Sequence, residues 1–237
     1  MEMTLDGVRD IRLYQNRNGY RFSVDPLLLY AFVNVRYARE IIDLGTGSGI
    51  IGLLLARKYS GARVLLVELQ ESLYRLAQKN TELNGLEDRV SVLLTDIRQI
   101  SHVLQTGSCD MVASNPPFRK PASGRVSDGE EKAIARHEIK LRLTELAEAG
   151  SHLLRARGRF FMIYHPERIL EVVDTLRTNR LEPKRIRFVH NDRDAGSKIV
   201  LIEAVKEARA GIKIEAPLFI YNKDGLYTDE IRNMYKV

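Results

Sequence analysis

The sequence lacks the features that mark secreted and membrane proteins. It holds a single cysteine, Cys109, so an internal disulfide is excluded and a cytoplasmic location is the simplest expectation. No apolar run approaches the roughly 18–20 residues of a membrane helix. The N-terminal stretch MEMTLDGVRD has neither the basic nor the apolar region of a signal peptide. We therefore expect a cytoplasmic globular protein with no membrane partner.

The composition is ordinary for a globular protein with a substantial core. With 237 residues, of which 44% are hydrophobic and 29% charged, one main domain with short extensions is expected. The net charge of +6 suits a nucleic-acid partner, because Lys and Arg neutralise phosphates. A basic surface without any partner explains the same charge.

Short apolar segments alternate with helical segments through the middle of the chain. Strands are predicted at 40–44, 63–68, 90–94, 110–114, 159–164, 185–189 and 198–205, and helices at 51–59, 72–83, 138–154 and 168–178. This alternation predicts a parallel sheet covered on both faces, with ligands beyond the carboxyl ends of its strands. We expect the last strand to be antiparallel at the sheet edge. The fold class is α/β: a doubly wound, seven-stranded, mostly parallel sheet with helices on both faces.

Two segments lie outside this core. In the N-terminal segment, 1–39, Asp25 and Pro26 are suited to the N-cap and first position of a helix over 27–33. The other segment is a tail, 206–237, rich in polar residues and tyrosine. The predicted organisation is thus an N-terminal segment, a main domain over 40–205 and a tail that packs on it.

A glycine-rich turn joins the first strand to the next helix, in the stretch Asp43-Leu-Gly45-Thr-Gly47-Ser-Gly49. Glycine lets the backbone turn tightly and approach a ligand closely. Because Gly47-x-Gly49-x-x-Gly52 also matches the dinucleotide fingerprint, an NAD enzyme has to be considered.

Acidic residues at the ends of successive strands weigh against NAD. Asp43 stands before the turn, where it would repel a pyrophosphate and attract a cationic ligand that carries an amine. Glu68 ends the second strand and can hold two ribose hydroxyls, which fits either cofactor. Asp96 follows the third strand and can accept a hydrogen bond from an adenine amino group. This row of acids suits S-adenosylmethionine, which carries a sulfonium and an ammonium group.

The stretches DLGTGSGIIGL, VLLVEL and TDI resemble the cofactor motifs of the class I, Rossmann-like S-adenosylmethionine-dependent methyltransferases. The resemblance covers most of 40–205 and implies a methyltransferase that releases S-adenosylhomocysteine. The cofactor-binding residues that it implies in this region are Asp43, Gly45, Thr46, Gly47, Gly49, Glu68, Leu69, Asp96, Ile97 and Asn115.

The fourth strand ends in Asn115-Pro116-Pro117-Phe118, beside the expected methyl group. The prolines cannot continue a sheet ladder, because they have no N–H to donate. The Asn115 side-chain oxygen and the Pro116 carbonyl can accept the two N–H groups of a planar exocyclic amine, held rigidly for in-line attack. Phe118 can stack on the base. Neither a metal nor a general acid is implied, because the leaving group is neutral.

These residues resemble the Asn/Asp-Pro-Pro-Tyr/Phe motif of amino-methylating enzymes, which implies that Asn115, Pro116 and Phe118 are catalytic. The motif leaves four flat conjugated amines open as targets: adenine N6, cytosine N4, guanine N2 and the glutamine side-chain amide.

Three further segments are similar to the bacterial tRNA adenine-N6 methyltransferases that modify the adenine just 3′ of the anticodon in a valine tRNA. They are 20–29 (YRFSVDPLLL), 135–138 (ARHE) and 220–228 (IYNKDGLYT). In that family the first segment folds over the cofactor, which implies that 1–39 caps the site with Phe22 and Asp25 near the methionyl end. The resemblance implies methylation of adenine N6 in RNA, with tRNA as the partner.

Other functions stay open as alternatives. Protein-glutamine, rRNA guanine-N2 and DNA amino-methyltransferases are the enzymatic ones, and an RNA-binding protein that kept the fold is the non-catalytic one. Guanine-N2 enzymes usually carry a duplicated N-terminal domain and glutamine enzymes a separate helical one, and the 39 residues before the first strand leave no room for either. The family also carries Tyr more often than Phe at the position of Phe118.

Two groups of basic residues are candidates for RNA contact. Either could follow the phosphates of an anticodon stem-loop while the adenine is splayed into the pocket, and either could be solvated surface. The segment after the catalytic motif carries Arg119, Lys120, Arg125, Lys132 and Arg136, and the closing strands carry Lys184, Arg185, Arg187, Arg193 and Lys198.

Overall fold

The computed structural model describes residues 3–16, 24–116 and 142–236. In chain order its strands are β1 (Met3–Val8), β2 (Ile11–Asn16), β3 (Glu40–Leu44), β4 (Arg63–Glu68), β5 (Val90–Leu94), β6 (Cys109–Ser114), β7 (Leu154–Tyr164), β8 (Leu181–His190), β9 (Ser197–Lys206), β10 (Lys213–Ile214) and β11 (Leu218–Phe219). Its α-helices are α1 (Asp25–Phe32), α2 (Ile50–Lys58), α3 (Glu71–Leu83), α4 (Ile100–Val103), α5 (Leu143–Leu153), α6 (Ile169–Thr178) and α7 (Asp229–Tyr235). Within these ranges no helix has the length and apolar character that crossing a membrane requires.

The central sheet has the strand order β10-β8-β9-β7-β6-β3-β4-β5, and β11 also pairs with β8. Neighbouring strands from β7 to β5 are parallel. The seven long strands of this sheet correspond to the seven that the sequence predicts. The two-residue strands β10 and β11 were not predicted. The expected α/β fold with a mostly parallel sheet is confirmed.

The expected position of the last strand was wrong. β9 is antiparallel to β7 and β8, as predicted, but it lies between them rather than at the edge. Residues 200–205 of β9 are all buried, whereas β8 mixes buried and half-buried residues along its length. An unbroken buried run requires cover on both faces and pairing on both sides, which only an interior position provides.

Helices cover both faces of the sheet and bury one apolar cluster on each. Phe160 and Phe161 are adjacent in β7, so they point to opposite faces, and both are fully buried. Phe161 packs in a cluster that includes residues of α1, α2 and α7, and Phe160 in one that includes residues of α4, α5 and α6. With both faces covered, the carboxyl edge of the parallel strands is the natural place for a ligand.

The first helix begins earlier than predicted. Asp25 was expected to cap a helix over 27–33, but α1 starts at Asp25 itself and Val24 precedes it with helical backbone angles. The Leu28 N–H donates to the Val24 carbonyl oxygen at 3.1 Å, which places Asp25 inside the first turn. Pro26 also lies in that turn, where its missing N–H needs no partner.

Strands β1 and β2 form an antiparallel hairpin that two asparagine side chains fasten to α3. Asn80 accepts the Tyr14 backbone N–H at 2.7 Å and donates to the Tyr14 carbonyl oxygen at 3.2 Å. Asn84, one turn later, makes the same pair with Arg12, at 2.9 and 2.7 Å. The two amides thus pair the outer edge of β2 as a neighbouring strand would. Asn80 also donates to the Ser48 carbonyl oxygen at 2.9 Å, which ties the hairpin to the glycine-rich turn.

Replacing Asn80 with Ala should lower the free energy of unfolding by about 2–3 kcal/mol, because the groups that it bonds lose their partner in a buried setting. The matched variant is Asn84→Ala, whose contacts with Arg12 are exposed. It should cost less than about 1 kcal/mol, because water can replace the lost bonds. Urea denaturation followed by circular dichroism measures both values, and equal losses would contradict the importance of burial at Asn80.

Candidate active site

Neighbouring strands bring the predicted site residues to one edge of the sheet. Leu44 of β3 pairs with Ser114 of β6. The next residues along the chain, Gly45 and Asn115, therefore leave adjacent strands side by side, about 5 Å apart. On the other side of β3 lies β4, which ends at Glu68. The glycine-rich turn, the strand-end acids and the Asn-Pro-Pro segment thus begin at the same edge.

The turn after β3 needs glycine at three positions. Gly45, Gly47 and Gly49 have φ angles of +72°, +60° and +92°, a region that residues with a Cβ rarely adopt. Gly52 has a different role, because a Cβ there would lie 2.0 Å from the Leu66 side chain. It lets α2 pack closely against β4. The predicted glycines are therefore required by the backbone of the turn itself.

The Asp43 carboxylate is fully buried beneath this turn. Its Oδ2 accepts the Thr46 hydroxyl at 2.6 Å and the Gly52 N–H at 2.9 Å, whereas Oδ1 has no hydrogen-bond partner in the described part of the protein. Burial raises the pKa of Asp43 to about 6, against the two hydrogen bonds, which lower it, and with a small addition from the Glu68 carboxylate. At neutral pH the group is mostly ionised. Such a carboxylate places a buried negative charge beneath the glycine-rich turn, which favours a ligand with a positive charge above it.

Glu68 is buried and held by three backbone N–H groups. Its Oε1 accepts those of Leu69 and Gln70, both at 2.9 Å, and its Oε2 accepts that of Gly47 at 2.8 Å. Burial raises the pKa of Glu68, and the three hydrogen bonds oppose that shift. The side chain therefore braces the glycine-rich turn against β4. Oε2 accepts only one hydrogen bond, so it is the oxygen that can accept further hydrogen bonds from ribose hydroxyls.

Asp96 caps a short helical turn and is paired with Arg98. Its Oδ1 accepts the Arg98 backbone N–H at 2.9 Å, and the guanidinium bonds both carboxylate oxygens. The hydrogen bond from the Arg98 side chain is the main cause that lowers the pKa of Asp96. Arg98 was not predicted as a site residue. Its position two residues after a strand-end acid is a local sequence pattern that indicates such a pair. Of the other predicted cofactor contacts nearby, Leu69 is exposed and Ile97 packs in the core.

Asn115 and Pro116 leave β6 from a buried strand end. All six residues of β6 are buried, and the Ser114 hydroxyl donates to the Leu44 carbonyl oxygen of β3 at 2.8 Å. Asn115 is half-buried and Pro116 is buried. The two predicted acceptors therefore start from a fixed strand end beside the glycine-rich turn. Their contacts with an amine stay a prediction.

Several predicted site residues lie outside the described residues, and their assignments stay predictions. Asp25 is described, as the half-buried first residue of α1, and its place near the donor is likewise still a prediction. The residues outside the described ranges are Phe22, Phe118, Arg119, Lys120, Arg125, Lys132 and Arg136.

The two central arginines of β8 are paired with carboxylates of the protein. Arg185 donates to the buried Glu203 carboxylate at 2.7 Å and to the Phe32 carbonyl oxygen at 2.6 Å, and its guanidinium lies 3.9 Å from the centre of the Phe32 ring. Arg187 donates to both carboxylate oxygens of Glu230, at 2.6 and 3.0 Å. These contacts fasten α1 and the tail to the sheet and occupy both guanidinium groups.

The family is established by sequence. The model of the methyltransferase small domain matches residues 24–168, more than half of the chain. The chain belongs to this family. The matched region contains the glycine-rich turn, the strand-end acids and the segment that begins at Asn115.

Curated relatives of this methyltransferase are named tRNA1(Val) (adenine(37)-N6)-methyltransferase. That of Trichodesmium erythraeum is 33% identical over 161 residues, which are 67% of this chain and 66% of the relative. That of Pedobacter heparinus is 28% identical over 218 residues, 91% of this chain and 89% of the relative. In the match to the Phocaeicola vulgatus protein, 31% identical, the chain spans 64% of the relative's length.

Solved structures of methyltransferases share the fold. A predicted O-methyltransferase from Agrobacterium tumefaciens aligns with a TM-score of 0.72 at 21% identity, over 89% of this chain and 95% of that one. Geranyl diphosphate C-methyltransferase from Streptomyces coelicolor A3(2), solved with S-adenosyl-L-homocysteine, aligns with a TM-score of 0.57 at 16% identity, over 76% and 77%. At these identities the likeness concerns the fold alone.

Replacing Asp43 with Asn should remove a pH dependence from the stability of this methyltransferase. Because the folded pKa of about 6 lies above the ordinary 3.8, the stability that the carboxyl contributes is complete below about pH 4 and lost as the pH rises through 6. The unfolding free energy of the wild type minus that of Asp43→Asn should therefore fall by about 2.4 kcal/mol between pH 4 and pH 7. Urea denaturation across that range measures the difference.

The control for this titration is Thr46→Val, which removes a hydroxyl that stabilises the carboxylate anion. In that variant the loss of stability should extend to higher pH. If the unfolding free energy of the wild type minus that of Asp43→Asn stays constant from pH 4 to pH 7, that result would contradict the burial-raised pKa of Asp43.

Proposed function

We propose that this protein transfers a methyl group from S-adenosylmethionine to the exocyclic N6 amine of an adenine in tRNA. The observation that carries the proposal is that Asn115 and Pro116 leave β6 beside the turn of β3 that covers the buried Asp43 carboxylate. Acceptors for an amine and a site for a cationic donor thus lie on adjacent strands.

The residues of the site fit S-adenosylmethionine. When bound, this donor supplies a methyl group on a positively charged sulfur. The buried Asp43 carboxylate favours a positively charged ligand above the turn, and Oε2 of Glu68 suits a hydroxyl. The glycine-rich turn lets the main chain lie close to a ligand. Asp96 would have to share its oxygens between Arg98 and an adenine amino group.

The chemistry requires acceptors more than acids. An exocyclic adenine amine is a poor nucleophile, because its lone pair is delocalised into the ring. The Asn115 side-chain oxygen and the Pro116 carbonyl would accept its two N–H groups, which favours a localised lone pair on the nitrogen. The fixed φ of proline keeps these acceptors in place, and in-line attack needs the reacting atoms aligned at about 3–3.5 Å. The proton of the methylated nitrogen can leave to water.

The choice of adenine in tRNA is supported by the relatives. The Asn-Pro-Pro-Phe segment by itself suits any of four conjugated amines. Relatives that align with about nine tenths of this chain carry the tRNA adenine-N6 name, at 25 and 28% identity. We infer that adenine is the target here as well. The proposed phosphate contacts are Arg119, Lys120, Arg125, Lys132 and Arg136. Of the closing-strand group, Arg185 and Arg187 are paired with carboxylates, and Lys184, Arg193 and Lys198 stay as candidates.

Asn115→Ala should lower the single-turnover rate of methyl transfer to tRNA by about 10²–10³-fold, because one rigid acceptor for the amine is lost at the reacting centre. The dissociation constant for S-adenosylmethionine, measured by calorimetry, should stay close to that of the wild type. Asn115→Asp keeps an acceptor oxygen at the same place and should retain more activity than the alanine variant. Comparable losses of rate and donor affinity in Asn115→Ala would contradict the assigned role.

Deleting the gene should remove N6-methyladenosine from the valine tRNA that this enzyme modifies. Mass spectrometry of tRNA nucleosides from cells with and without the gene measures the change. Wild-type protein should restore the nucleoside, and Asn115→Ala should not. Unchanged N6-methyladenosine in tRNA would redirect the search to rRNA, DNA or a protein amide.

A further inference from the structure

We propose that three stacked tyrosines in the C-terminal tail bind an unpaired base of the RNA substrate. The rings belong to Tyr221, Tyr227 and Tyr235, and we call them the tyrosine stack. This inference rests on the proposed function, since it assigns part of the RNA binding to a surface separate from the catalytic segment.

The geometry of the tyrosine stack is that of a surface for planar ligands. The Tyr227 ring centroid lies 5.3 Å from that of Tyr221 and 6.0 Å from that of Tyr235, with interplanar angles of 13° and 17°. Tyr221 and Tyr227 face each other across a tight turn. The Asn222 side-chain oxygen accepts two backbone N–H groups of this turn, both at 3.0 Å. The rings are therefore presented in a fixed, nearly parallel orientation.

The rings are exposed although the tail is anchored by other contacts. Each of the three tyrosines is at least 36% exposed, and Leu226 at the tip of the turn is 60% exposed. Within α7, Ile231 and Met234 are buried in the core. Arg9 of the N-terminal hairpin donates to the Met234 carbonyl oxygen at 2.9 Å. Because these contacts hold α7 in place, exposed aromatic faces are not needed to attach it.

The tyrosine stack lies at the same edge of the sheet as the catalytic segment. β11, which leads into the turn, pairs with Val189 and His190 at the carboxyl end of β8. β8 runs parallel to β6, since β9 is antiparallel to both β8 and β7 and β7 is parallel to β6. Four strand spacings, about 19 Å, separate β11 from β6, because β11 pairs with the edge of β8 that faces away from β9. A short stretch of single-stranded RNA spans that distance from an adenine at Asn115.

The charges beside Tyr221 favour base stacking over phosphate binding. The surface recess next to Tyr221 is lined by two carboxylates, Asp192 and Asp194, and by one amine, Lys223. A recess with this balance does not attract phosphates. Aromatic faces, by contrast, stack with any base, and the unpaired bases of an RNA loop are available for such contacts. RNA is therefore the partner to which these observations point.

The test is the affinity of ring variants for an unmodified valine tRNA transcript, measured by fluorescence anisotropy. Tyr221→Ala should raise the dissociation constant by roughly 5- to 100-fold. Tyr221→Phe keeps the ring and should bind like the wild type. Tyr221→Leu keeps apolar bulk without an aromatic face and should bind like the alanine variant, which separates stacking from packing within the turn.

The salt dependence gives a second readout. In Tyr221→Ala the slope of log Kd against log salt should be unchanged, because no phosphate contact is lost. Lys120→Ala, at a proposed phosphate contact, should instead reduce that slope by about 1. A reduced slope in Tyr221→Ala would overturn the stacking assignment.

The melting temperature and the S-adenosylmethionine affinity of Tyr221→Ala distinguish an RNA-binding role of Tyr221 from a purely structural one. Wild-type protein that methylates tRNA, together with a Tyr221→Ala protein of unchanged RNA affinity, would overturn the site and leave the proposed function intact. Weaker RNA binding in Tyr221→Ala that is matched by a loss of S-adenosylmethionine affinity would also overturn it. Wild-type protein that neither binds nor methylates tRNA would overturn the proposed function and this site together.

Discussion

The buried carboxylate of Asp43 is the constraint on which the rest of the site depends. One of its oxygens is bonded to the Thr46 hydroxyl and the Gly52 N–H, and the other has no partner among the described residues. Burying an anion is costly, and two hydrogen bonds offset only part of that cost, which is why the pKa of Asp43 is raised to about 6. The negative charge held beneath the turn favours a positively charged ligand above it.

The surrounding contacts hold the glycine-rich turn in place before a ligand arrives. Three backbone N–H groups bond the buried Glu68 carboxylate, one of them from Gly47 in the turn itself. Asn80 reaches the turn from α3 and bonds the Ser48 carbonyl oxygen. A turn fixed from two sides does not have to be ordered on binding, so more of the binding energy is available for orientation at the reacting centre.

The net charge of the chain overstates its free basic surface. Arg185 and Arg187 look like a phosphate-binding group in the sequence, but their guanidinium groups bond carboxylates, and Arg185 also covers the Phe32 ring. These two arginines attach α1 and the tail to β8. The carboxyl edge of the sheet is left with an aromatic surface at β8 and a rigid amide and proline pair at β6. Recognition of RNA through both would combine stacking with chemistry at a single edge.

The sequence by itself determined the alternation of strands and helices, the glycine-rich turn, the acids at the strand ends and the place of Asn115. These follow from local rules: apolar periodicity, the φ angles that glycine allows and the N–H that proline lacks. Only the tertiary structure decided the interior position of β9, the pairing of Asn80 with β2 and the engagement of Arg185. The physical reason is that each depends on partners distant in the chain. Asn80 and Tyr14 are 66 residues apart and Arg185 and Phe32 are 153 apart, and no local pattern specifies which distant group will meet a given side chain.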